Sequence, residues 1–118
     1  MKRIILLLVM VVLAGSVPLM AETVEGVLID AMCCGKIFPD KGYAGVKAHT
    51  KDCALMPACV KSGLGVITEA GKFYKLDAAG QEKAIEALKS TAKKDNLTVK
   101  VEGKVEGNVL TVESLNLT

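Results

Sequence analysis

The chain has 118 residues, 15 of them basic and 13 acidic, with four cysteines, one histidine and no tryptophan. This length supports one small domain, which buries only about 60–65% of its unfolded surface. The excess positive charge corresponds to Lys2 and Arg3. Without them the charges balance, which excludes electrostatic steering to nucleic acid or to an anionic membrane surface.

The opening run places Lys2 and Arg3 before the apolar stretch Ile4–Ala14, and a looser stretch then ends on Ala21. That order predicts a secretory signal peptide cut after Ala21. A single domain over residues 22–118 then remains, periplasmic or secreted, with no membrane attachment once the signal is gone. Gly15, Ser16 and Pro18 break the apolar stretch before it reaches the roughly 20 residues of a spanning helix.

Glu22–Ala31 is rich in β-branched residues and predicts a first strand with a bulge or bend at Gly26. The cysteine-bearing segment follows, at about residues 32–62. Within it, Val46–Met56 in helical form would put His49, Cys53 and Met56 on one face, and Pro57–Gly63 reads as a short helical turn. Gly63–Asp77 gives two short apolar runs around Gly71 and predicts a hairpin.

Ala78–Lys94 changes period, with Ala84, Ile85, Leu88 and Ala92 at helical spacing. From Asn96 to Leu117 the pattern alternates, with Leu97, Val99, Val101 and Val105 on one face, and Glu106–Asn108 supplies a turn. Strand, cysteine segment, two strands, helix, two strands is the order of an all-β, OB-like five-stranded Greek-key barrel with one helix. The closing run LTVKVEGKVEGNVLTVESLNL and the run HTKDCALMPACVKSG resemble those of small periplasmic or secreted bacterial OB-fold proteins with a cysteine-containing insert after the first strand. The resemblance implies the fold and no established activity.

Cys33, Cys34, Cys53 and Cys59 all precede the second strand, and an even number of cysteines in a small exported domain predicts a disulfide framework. Adjacent Cys33 and Cys34 are too close for a relaxed mutual bond, and on a strand they face opposite sides. They are expected to take separate partners, Cys33 with Cys53 and Cys34 with Cys59, or the reverse. Each bridge would contribute on the order of 3 kcal/mol.

A metal reading competes. His49 and Cys53, joined by Cys59 and by Cys33 or Cys34, make a Cys3His set suited to zinc, and adding Met56 would favour Cu(I). Thiol–disulfide exchange is a third reading, although no C-x-x-C motif opens a helix. Asp30 and Asp52 read as turn and cap residues. On the second hairpin strand, Phe73 and Lys75 form a candidate ligand face, with Tyr74 inward. No nucleophile, base and orienting group assemble from one histidine, so the leading expectation is a non-enzymatic, monomeric, exported binding or structural module without a resident cofactor. A zinc or copper protein and a thiol oxidoreductase are the alternatives.

Overall fold

The computed structural model describes residues 21–118. The expected signal peptide lies almost wholly outside them. Five strands, β1 (Glu22–Asp30), β2 (Leu64–Ile67), β3 (Phe73–Leu76), β4 (Thr98–Glu106) and β5 (Val109–Leu117), close a barrel in the order β1-β2-β3-β5-β4. All neighbours are antiparallel except β3 and β5, which run parallel. The main helix, α4 (Ala78–Ser90), lies between β3 and β4, as the OB-like order requires.

The local chemistry explains each joint. Gly71 (φ 93°) turns the β2–β3 hairpin and Gly107 (φ 61°) the β4–β5 hairpin, both in the left-handed region that glycine enters without steric cost. Asp77 caps α4 by accepting from the Gly80 N–H at 2.9 Å, and also from the Val112 N–H of β5 at 3.2 Å. The helix stops at Ser90, short of Lys94. Its buried stripe is Ala84 and Leu88, while Ala92 lies exposed beyond the end.

β1 is buried on both faces. Val24 and Leu28 point into the barrel with Val66, Val99, Val101, Leu110 and Val112. Val27 and Ile29 point outward, into a second cluster with Cys34, Val46 and Ile67. That outer cluster is covered by the segment between β1 and β2, which forms α1 (Ala31–Lys47, broken at Gly42), α2 (Lys51–Ala54) and α3 (Pro57–Ser62). The segment leaves and rejoins the barrel at one place, where Asp30 pairs with Leu64 and the Ala31 N–H donates to the Gly63 carbonyl at 2.9 Å. Its far side is tied down by Lys51, whose Nζ donates to the Thr91 carbonyl at 2.9 Å.

Gly26 lies where β1 passes from pairing with β4 to pairing with β2. A Cβ there would overlap the Ile67 carbonyl oxygen, whereas one on Gly35 of α1 would meet open space. Gly26→Ala is therefore expected to lower unfolding free energy by about 1–3 kcal/mol. Gly35→Ala should raise it by up to ~1 kcal/mol through reduced unfolded-state freedom. Urea unfolding of the two variants should show midpoints moving in opposite directions; an unchanged midpoint for Gly26→Ala would refute the close-approach account.

Candidate metal centre

β1 ends one residue earlier than the sequence pattern suggests. Asp30 accepts the Cys33 N–H at 2.8 Å, and this cap starts a helix at Ala31 where an extended strand was expected. Successive residues of a helix diverge by about 100°, so Cys33 and Cys34 still part company, for a reason other than strand alternation. Cys34 turns into the outer hydrophobic cluster, 6% exposed, beside Val27, Ile29, Val46 and Ile67. Cys33 turns toward Cys59, with 3.9 Å between the sulfurs.

Two other short helices deliver the remaining thiols. Thr50 caps α2 by accepting the Cys53 N–H at 3.2 Å, and Met56 precedes Pro57 at the first position of α3, which carries Cys59. Cys33, Cys53 and Cys59 are each the third residue after the cap of their helix. Ser62 holds the ends together, donating to the Cys59 carbonyl at 2.7 Å and accepting the Met32 N–H at 3.3 Å.

His49 lies in the link between α1 and α2, so the continuous helix expected over Val46–Met56 is not formed. His49 and Cys53 nevertheless meet. Ligand atoms of Cys33, His49 and Cys53 all lie within 4.8 Å of one another, and so do those of Asp30, Cys33 and Cys59. Met56 does not share their burial; it is 54% exposed. The expected pair of disulfides is not formed, since all four cysteines are thiols, and Cys34 belongs to neither ligand group.

Asp30 is the residue whose role the sequence reading understated. It is a cap, as anticipated, but it is also fully buried, with Oδ1 3.5 Å from His49 Nε2. That separation is too long for a formed hydrogen bond. Asp30 Oδ1 and both ring nitrogens of His49 are buried with no hydrogen-bond partner among the described residues. Buried polar atoms left in this way are uncommon and call for a missing partner. Asp52 is exposed in the first turn of α2.

Phe73 is half-buried against the outer cluster, its ring lying over Gly65, so it covers the base of the cysteine segment rather than offering a free ligand face. Lys75 is exposed, with its side chain passing over Gly63. Tyr74 packs against the barrel core, with the Lys72 ammonium 5.0 Å from its ring centre.

Burial dominates the electrostatics. It lowers the pKa of His49 below its ordinary 6.5 against the opposing pull of Asp30, so the ring is neutral at pH 7 and the Asp30–His49 contact is not an ion pair. Burial, reinforced by the Asp30 charge, raises the thiols of Cys33, Cys34 and Cys59 above their ordinary 9.0. These directions fix the pH response of the metal-free chain. As pH falls below about 6.5 the unfolded state takes up the His49 proton first, so stability declines on acidification. As pH rises above about 9 the unfolded state loses thiol protons first, so stability declines again. Thermal unfolding in chelator and reductant should give a plateau between these limits. His49→Gln should remove the His49 part of the acid decline, and an unchanged acid limb in that variant would contradict the assignment.

Compared with protein-family models, with curated proteins and with solved structures, the chain matches none.

Proposed function

We propose that this is an exported metal-binding protein that holds one zinc ion through Cys33, His49, Cys53 and Cys59. The observation that carries the reading is that Cys33 meets His49 and Cys53 in one group of ligand atoms and faces Cys59 across 3.9 Å, so that Cys33 links donors brought by three helices and a link. Tetrahedral zinc with Zn–S bonds of about 2.3 Å separates its sulfurs by roughly 3.8 Å. The Cys33–Cys59 separation of 3.9 Å matches that edge and is far from the roughly 2.05 Å of a disulfide.

Two further features support the ion. The unpartnered nitrogens of His49 lack only an acceptor or a metal, and Asp30 stands behind the ring as carboxylates do behind zinc-bound histidines. Met56, the soft donor that would favour Cu(I), points to solvent, which leaves a Cys3His set. Such a closed set of four protein ligands is the pattern of a structural zinc site, in which binding energy becomes folding energy. Export rests on the Lys2–Ala21 pattern, and in that setting the thiols meet an oxidising medium.

Titration of the reduced chain with zinc against a competing chelator should give one ion per chain. Cys33→Ser, Cys53→Ser, Cys59→Ser and His49→Ala should each weaken binding by roughly 100-fold or more, and Asp30→Asn by about 10–100-fold. Cys34→Ala should bind as the unaltered chain does while losing about 1 kcal/mol of stability from the outer cluster. At zinc 100 times above Kd the unaltered chain should gain about 2.7 kcal/mol. Loss of binding in Cys34→Ala with retention in Cys59→Ser would sink the assignment.

A further inference from the structure

We infer that Cys33 and Cys59 form the single disulfide of this chain, and that the bridge and the metal exclude one another. The metal half of this inference rests on the zinc reading above; the pairing does not.

Cys33 is the one thiol common to both ligand groups, one with His49 and Cys53 and the other with Asp30 and Cys59. Its sulfur is 3.9 Å from that of Cys59, so a bond needs an approach of about 2 Å between the first turns of α1 and α3. Cys34 has no such option, being packed among Val27, Ile29, Val46 and Ile67 on the other side of α1. Cys53 is then left as a thiol beside His49. The four cysteines thus divide into a bridging pair, one remaining ligand and one core residue.

The exchange needs an oxidant, and a low-molecular-weight disulfide supplies it. Cys33 is partly exposed while Cys59 is 3% exposed, so of this pair Cys33 is the one a small disulfide reaches; burial and the Asp30 charge keep its thiolate scarce and make the first attack slow. The Cys33 thiolate attacks one sulfur of the small disulfide, whose S–S bond breaks, and the first small thiolate leaves with the electron pair. The Cys59 thiolate then attacks the Cys33 sulfur of the mixed disulfide, and the second small thiolate leaves. Two cysteine thiols become one cystine, one small disulfide becomes two small thiols, and the two cysteine protons are transferred to them. The bridged sulfurs carry no negative charge and are poor zinc ligands, so two of four donors are lost at once.

The test uses residues 22–118, reduced and freed of metal, then treated with excess oxidised glutathione. Peptide mapping is expected to find Cys33–Cys59 as the main bond, with Cys34 and Cys53 open to alkylation after unfolding. A main bond through Cys34 or Cys53, or none, overturns the pairing. In Cys59→Ser, glutathione should remain attached at Cys33; its absence there overturns the entry point.

Zinc titration of the bridged chain is expected to show at least a 100-fold loss of affinity, reversed by a phosphine reductant. Equal affinity in the bridged and reduced chains overturns the exclusion. Failure of the reduced chain to bind zinc overturns the zinc reading and the exclusion with it, whereas the map alone decides the pairing.

Discussion

The carboxylate of Asp30 joins the barrel to the helices that it carries. Its backbone is the last rung of β1, paired with Leu64 of β2. One oxygen accepts the Cys33 N–H and starts α1; the other faces His49. A buried carboxylate is costly unless its oxygens are satisfied, and here only one is, by a backbone donor. The end of the first strand, the start of the first helix and the buried histidine therefore meet at one residue. Burial raises the pKa of the neighbouring thiols Cys33, Cys34 and Cys59, and the same carboxylate charge adds to that shift in all three.

β1 lets a small domain support a second layer. A strand with one wet face would alternate apolar and polar residues, but Val27, Leu28 and Ile29 are consecutive and all fully buried. The barrel takes Leu28, and the helices take its neighbours. The helical segment is held at one end by the Asp30–Leu64 rung and the Ala31–Gly63 hydrogen bond, at the other by backbone bonds from Lys51 to Lys94 and from Asn96 to Lys47, and between them by its packing on the outer face of β1. The proposed ion would act on that layer, joining the three helices to one another across the outer face of the barrel.

The barrel was readable because its signals are redundant. β4 alternates from Val99 to Val105 and β5 from Val109 to Val112, Gly71 marks the β2–β3 turn and Gly107 the β4–β5 turn, and Asp77 opens a helix with the right period. The cysteine segment offers no such redundancy. Between Leu28 and Cys34 a strand and a helix start have the same apolar content, and only the Asp30 cap separates them. Cys33 and Cys34 face apart as strand alternation predicts, but on a helix, and which of them faces Cys59 depends on helical rotation from the cap. His49 and Cys53 were expected together on one helix; they meet because a link and a new cap intervene. For Phe73, strand alternation gives the outward face but leaves open whether it binds a ligand or lies beneath the cysteine segment; its packing on the outer cluster favours the second.

Cys33, Cys53 and Cys59 each stand three residues beyond a helix cap, at Asp30, Thr50 and Met56. The proposed donor set is thus addressed by where helices begin, and the distances between cysteines along the chain carry little of it. Lengthening the links between helices changes that spacing without changing any address. Inserting one residue between a cap and its cysteine turns the sulfur by about 100° and removes it from the set. Proteins built on this plan would share short cap-to-cysteine intervals separated by stretches of variable length, a grammar that a search for fixed cysteine spacing passes over.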